Sequence, residues 1–218
     1  MSQLVFKFPF KAKYFEQDFY VSNNNFSAYK LIESWPSWPG KWLNVFGEVG
    51  SGKTHLSKIL EKKIKKTRLI EAKNINNNVL EELAQTQCLI IDNYHNNIDE
   101  KIFYSILNHS KQLDNFIVIN SVFRLNELNF NLRDLQSRLN SFVFIGIKLP
   151  SDDLLQVIIS KFFSDKQINF NPKISEYIIK NVDRSYEKMF KFLKDLDEMS
   201  LSTGKSININ LIKKVLNQ

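Results

Sequence analysis

The side chains best suited to chemistry in this sequence stand together at Gly47-Glu48-Val49-Gly50-Ser51-Gly52-Lys53-Thr54, directly after the apolar run Leu43 to Phe46. Half of the chain's 6 glycines fall in this one segment. Glycines at this spacing let the backbone curl until successive N–H groups point at phosphate oxygens, and a helix starting at the end of the loop adds the positive end of its dipole. Gly47, Gly50, Ser51 and Gly52 would cradle the phosphates, Lys53 would reach the outermost ones, and the Thr54 hydroxyl would be a ligand of Mg²⁺. The plainer reading is an ordinary glycine turn. The strand before the segment and the helix after it favour the phosphate loop.

Three other positions carry polar groups where a phosphate site would need them. Asp92 follows Leu89-Ile90-Ile91 at the end of a buried strand. In phosphate-loop proteins an acid there helps to hold Mg²⁺, directly or through water; without the glycine loop, a strand-ending Asp reads as a turn cap. The next residue is Asn93. An acid in its place would activate an attacking water, and an amide cannot take the proton, so fast hydrolysis by this chain's own site is not expected. Asn120 ends the following strand, where it would either sense a terminal phosphate or close a turn. Arg138, in Leu135-Gln136-Ser137-Arg138-Leu139, lies on a short helix before the last strand; taken alone it reads as a surface charge or a local ion pair. His55, His95 and His109 lack metal-ligand spacing, and Cys88, the 1 cysteine, opens an apolar strand as a small buried side chain.

Such groups converge only if a framework brings several loop ends together. Apolar strands at Leu43–Phe46, Leu69–Ile70, Leu89–Asp92, Phe116–Ile119 and Phe142–Ile147 alternate with helical patterns at Val79–Gln85, Ile98–Leu113 and Asp134–Leu139. That alternation predicts an α/β fold, a three-layer core with a five-stranded parallel sheet. After Pro150 the strand signals stop. Ser151 with Asp152 and Asp153 reads as the cap of a helix through Phe163, Asn171-Pro172 opens a second, a third runs from about Ser185 to Leu201, and Asn208 caps a fourth. The chain is therefore read as an α/β domain, 11–150, with a small C-terminal helical lid domain, 151–218.

At 25.6 kDa and 43% apolar residues, 18 of the residues being Phe, the composition is that of a globular chain. No secretory signal or membrane-spanning run is visible, so a cytoplasmic protein is expected. The net charge of +7 divides into +2 for residues 151–218 and +5 for the remainder, too dispersed for a dedicated nucleic-acid face. Its densest cluster, Lys62-Lys63-Ile64-Lys65-Lys66, suits the negative end of the helix that follows the loop.

In this order the features resemble the AAA+ ATPases, and among them the initiator-related Hda group, regulatory inactivators of DnaA. The resemblance spans nearly the whole chain. It rests on Gly47 to Thr54, on Ile91-Asp92-Asn93 with its amide in place of the usual second acid, on Asp134-Leu135-Gln136-Ser137-Arg138-Leu139 and on the four-helix C-terminal region. Asp18-Phe19-Tyr20-Val21 and Asn25 are similar to the segment that covers the adenine in initiator-type proteins, and Trp35-Pro36-Ser37-Trp38-Pro39 is similar to alphaproteobacterial members. The resemblance implies ADP or ATP with Mg²⁺ as cofactors, with Phe19, Val21 and Asn25 at the base, Thr54 and Asp92 at the metal and Asn120 as sensor I. It makes Arg138 an arginine finger, used on a nucleotide held by a neighbouring molecule. The implied partners are DnaA, the sliding clamp (the β subunit of DNA polymerase III), DNA indirectly through the clamp, and a second copy of the chain.

Residues 1–10 hold Gln3-Leu4-Val5-Phe6-Lys7-Phe8, which resembles the group's clamp-docking peptide: Gln3 for polar anchoring, then Leu4, Phe6 and Phe8 for a pocket. A frayed terminus or a core strand is the alternative. One position departs from the pattern, because Glu187 stands where the family carries its second sensor arginine. A carboxylate repels phosphates, so either Arg184 or Lys188 serves that place or nucleotide affinity is weakened. No helix-turn-helix region occurs up to Gln218, and sequence-specific DNA reading is not expected.

The leading functional expectation is a regulator that, on clamp-bound DNA, stimulates hydrolysis of DnaA-bound ATP through Arg138 and so prevents re-initiation. The alternative is a DnaC-like helicase loader using its own ATP cycle on single-stranded DNA, which Asn93 and the dispersed charge count against. A small phosphate-loop kinase would have no use for Arg138 or for a helical lid.

Overall fold

The computed structural model describes residues 18–95, 98–168 and 171–217. They fall into two compact units that divide between Lys148 and Leu149. In the first, β1 (Trp42–Phe46), β2 (Thr67–Glu71), β3 (Cys88–Tyr94), β4 (Phe116–Ser121) and β5 (Val143–Gly146) form one sheet in the order β2-β3-β4-β1-β5. Every pairing is parallel. Around the sheet lie α1 (Phe26–Glu33), α2 (Lys53–Lys63), α3 (Asn78–Glu82), α4 (Glu100–Gln112) and α5 (Arg133–Leu139).

Successive strand side chains point to opposite faces, so each strand supplies two cores. On one face Leu89, Ile91, Ile117 and Ile119 pack with Phe103, Ile106 and Leu107 of α4 and Leu135 and Leu139 of α5. Leu43, Val45, Ile90 and Val118 meet Leu56, Ile59 and Leu60 of α2 and Ala28 and Ile32 of α1 on the other. Burial on both sides is why the strands read as unbroken apolar runs. The buried Cys88 thiol is pushed up to about 12 by desolvation.

The structure departs from the sequence expectations at element ends. The strand carrying Asp92 continues to Tyr94, with an irregularity in pairing after Ile91 and with Asn93 in the left-handed region at φ 53°. Asn120 is likewise followed by Ser121, which pairs with Phe46. Helix α1 has no counterpart in the expectations, because it buries just Ala28 and Ile32 and its N-cap, Asn25, makes no side-chain capping bond.

The second unit contains α6 (Asp152–Asp165), α7 (Pro172–Asn181), α8 (Tyr186–Thr203) and α9 (Ile209–Leu216). Leu155, Ile159, Phe163, Ile178, Met189, Leu193 and Ile212 form its core. Asn171, Ser185 and Asn208 cap their helices by accepting from Lys173, Lys188 and Leu211 N–H groups. Ser151, expected to do the same, makes no side-chain capping bond; Asp152 and Asp153 in the first turn supply the favourable negative charge instead.

Candidate functional site

In a parallel sheet, loops that leave the C-terminal ends of adjacent strands meet at one edge. Here β3, β4 and β1 are neighbours, so Asp92, Asn120 and the loop after Phe46 converge. The loop turns on Gly50 and Gly52, at φ 83° and 95°, conformations that side chains with a Cβ adopt at a cost. A Cβ at Gly52 would also come within 3.0 Å of the Phe19 ring. Lys53, the first residue of α2, is 7% exposed. Its Nζ donates to the carbonyls of Gly47 (2.7 Å) and Glu48 (2.8 Å). Desolvation lowers the amine to about 8, an effect that the nearby Asp92 and Glu48 charges partly oppose.

Asp92 is 3% exposed and both of its oxygens are engaged. Oδ2 accepts from the Thr54 hydroxyl at 2.7 Å, while Oδ1 accepts from Asn120 Nδ2 at 2.7 Å and from the Asn93 N–H at 3.0 Å. The same Asn120 nitrogen donates to Ser57 Oγ at 2.8 Å. Thr54 and Ser57 are one turn apart on α2, so this network joins a helix and two strands in a closed circuit. Asn93, in the left-handed region, donates its own N–H back to the Asp92 carboxylate while its side chain stays exposed.

Phe19 stacks on Tyr29 with ring centroids 5.8 Å apart and meets His55 edge-on at 5.2 Å. It thus lies beside the start of α2. Val21 is half-buried in the same segment. Asn25 is 4% exposed, and its amide closes the turn it belongs to, accepting from the Ser22 N–H and donating to the Tyr20 carbonyl.

Arg138 is half-buried on α5, and its Nη2 donates to Asn108 Oδ1 on α4 at 2.5 Å. The start of α5 is fixed by Glu100, which accepts from the Asn131 and Leu132 N–H groups; those bonds hold its carboxyl below the usual range. In the second unit, Glu187 is exposed in the first turn of α8, Arg184 pairs with Asp152 at 2.9 Å, and Lys188 pairs with Asp183. Gln3, Leu4, Phe6 and Phe8 lie outside the described residues.

Residues 156–216 match the family described as Hda, lid domain. DnaA of Buchnera aphidicola subsp. Cinara cedri is 24% identical across 88% of this chain, and the chain spans 49% of that relative's length. An uncharacterised protein of Haemophilus influenzae is 22% identical over 92% of both chains. Domain III of the Thermotoga maritima replication initiation protein DnaA superposes with a TM-score of 0.78 at 19% identity, over 96% of this chain and 98% of that one. Along its length the chain is similar to DnaA, and over residues 156–216 it is similar to the Hda lid domain. A DnaA from Aquifex aeolicus solved with AMPPCP bound has a TM-score of 0.67 at 18% identity, covering 88% of this chain and 67% of its own. At such identities the likeness to solved structures is one of fold: the AAA+ core of DnaA domain III, with its five-stranded parallel sheet.

Two polar residues that sequence reasoning passed over help to build the site. Asn44, fully buried within β1, donates to the Ile119 carbonyl and the Ser121 hydroxyl and accepts from the Leu125 N–H, tying down the segment that follows β4. Its signal was an amide inside an otherwise apolar strand, Leu43-Asn44-Val45. Ser57, 1% exposed, carried a fainter one, a small polar residue on the buried side of α2 a turn after Thr54.

Proposed function

We propose that this chain is a nucleotide-bound regulator of replication initiation that stimulates hydrolysis of ATP on DnaA, using Arg138 as a finger in trans. Residues 1–10 form its clamp-docking peptide, 11–150 its nucleotide-binding domain and 151–218 its lid. The supporting observation is the contrast between a phosphate loop built in full and an Asn at position 93, where a base would be needed. ADP or ATP would lie with its phosphates on Gly47 to Thr54 and its base beside Phe19 and Val21, the turn behind them held by Asn25. Thr54 and Asp92, whose side-chain oxygens lie 2.7 Å apart, fit a site for Mg²⁺. The ion would neutralise phosphate charge there. Asn120 would be sensor I. Arg184 and Lys188 are the candidate cations for sensor II, and in the described structure both are engaged in ion pairs inside the lid.

An arginine supplied to a neighbour's nucleotide stabilises charge that develops on the transferred phosphoryl group, a contribution of roughly a thousandfold or more. Its value lies in the partner's transition state, so its loss leaves this chain's own ground state unaffected. The test is single-turnover hydrolysis of ATP preloaded on DnaA, with saturating clamp and DNA. Arg138→Ala is expected to remove the stimulation while nucleotide and clamp binding persist, and Arg138→Lys to fail as a substitute because it lacks the planar multi-donor head. Stimulation by the Ala variant equal to the parent's returns Arg138 to a local structural role. Gln3→Ala combined with Leu4→Ala should abolish clamp binding with nucleotide affinity intact; undiminished binding would remove the N-terminal peptide from the mechanism.

A further inference from the structure

Both N–H bonds of the Asn120 amide are engaged inside the protein. Nδ2 donates to Asp92 Oδ1 at 2.7 Å and to Ser57 Oγ at 2.8 Å. The carbonyl Oδ1 is buried with no hydrogen-bond partner among the described residues. Turning the amide over is unfavourable, because it would set Oδ1 against the Asp92 carboxylate, two acceptors at hydrogen-bonding distance. Asp92 therefore dictates which end of the amide faces it, and Ser57 takes the donor that remains. Phosphate oxygens are acceptors. To meet a terminal phosphate with an N–H, Asn120 must release Ser57 or Asp92; a nucleotide without that phosphate makes no such demand.

We propose that Ser57 biases the site toward nucleoside diphosphate by holding the sensor amide's second donor. The inference rests on the reading of Gly47 to Thr54 as a nucleotide site and of Asn120 as its sensor. Ser57 acts as a positioning residue. It touches Asn120, is 1% exposed and is fixed by the helix that also carries Thr54, so its hydroxyl cannot swing away with a surface rotamer. With the hydroxyl gone, the buried N–H has no partner, and such an orphaned donor gains most from an added acceptor.

Calorimetric titration of the full chain with ADP and with the triphosphate analogue AMPPCP, both with Mg²⁺, tests this. The parent should bind ADP more tightly. Ser57→Ala is expected to leave ADP affinity within about twofold and to tighten AMPPCP about tenfold, the scale of one neutral hydrogen bond. Ser57→Cys, close in volume but a weak acceptor, should shift the ratio in the same direction, which separates the hydroxyl from packing. The shift should vanish when either change is made in an Asn120→Ala background. An AMPPCP-to-ADP ratio that Ser57→Ala and Ser57→Cys leave at the parent value overturns the role of Ser57 while the nucleotide site stands. Binding of neither nucleotide by the parent overturns the nucleotide site itself, and this inference with it.

Discussion

Around Asp92, side chains from α2, β3 and β4 share hydrogen bonds where Asp92, Asn120 and Ser57 are each no more than 3% exposed. Arg138, on the opposite face of the same sheet, is half-buried and makes one described hydrogen bond, to an asparagine. The difference follows from where water can reach. A buried carboxylate must be satisfied at both oxygens or it costs several kcal/mol, so its neighbours are fixed in turn. A half-exposed guanidinium keeps its remaining donors in water, free for another molecule's charge. The first arrangement suits groups that must hold a geometry, the second a group that must reach outward.

The largest effect that would sharpen this comparison is on stability. Asp92→Ala leaves the Asn120 amide, the Asn93 N–H and the Thr54 hydroxyl short of an acceptor, and should cost about 3 kcal/mol in urea unfolding without nucleotide. Arg138→Ala should cost no more than about 1 kcal/mol in the same measurement. Equal costs would mean that Arg138 is as much a part of the framework as Asp92 is.

Lys53 gives a test with a defined pH dependence. Below pH 8 its amine is charged in both the folded and unfolded chain, and the penalty of burying that charge is fully present. Between about 8 and 10.5 the folded chain holds it neutral while the unfolded chain still binds the proton, so stability should rise with pH across this window. Lys53→Met removes the charge and the bonds to two loop carbonyls. It is expected to exceed the parent in stability by about 1–3 kcal/mol at pH 7 without nucleotide, the gap narrowing toward pH 10. A gap that does not change with pH would show that the amine is not desolvated in the folded chain.

The smallest expected effect lies in the second unit. Both partners of the Arg184–Asp152 pair are more than half exposed, and Arg184→Ala should change unfolding stability by less than about 0.5 kcal/mol. If nucleotide affinity nevertheless falls in this variant and not in Lys188→Ala, Arg184 is the sensor II cation; unchanged affinity in both variants would leave the position to Glu187, without a cation.

The sequence by itself determined the elements whose signals are local. The glycine-rich segment, the apolar strands and the helical spacing of Ile102, Phe103, Ile106 and Leu107 follow from backbone conformation and side-chain periodicity, and each stands in the structure within a few residues of its expected place. So do Asn171 and Asn208 as helix caps, because capping involves residues two or three apart. Tertiary structure alone decided the rest. Helix α1 is held by packing of Ala28 and Ile32 on α2 and the sheet, partners that the local sequence does not identify. Ser151 lost its capping bond although its sequence context was favourable. The strand past Asp92 gained two residues and a left-handed turn at Asn93, and no local rule requires an asparagine to bend there. Ser57 and Asn44 became part of the site because the order β3-β4-β1 places α2 and β1 beside Asp92 and the end of β4. Strand order is a property of the whole sheet, and a polar residue's partner across it is fixed only when the sheet has formed.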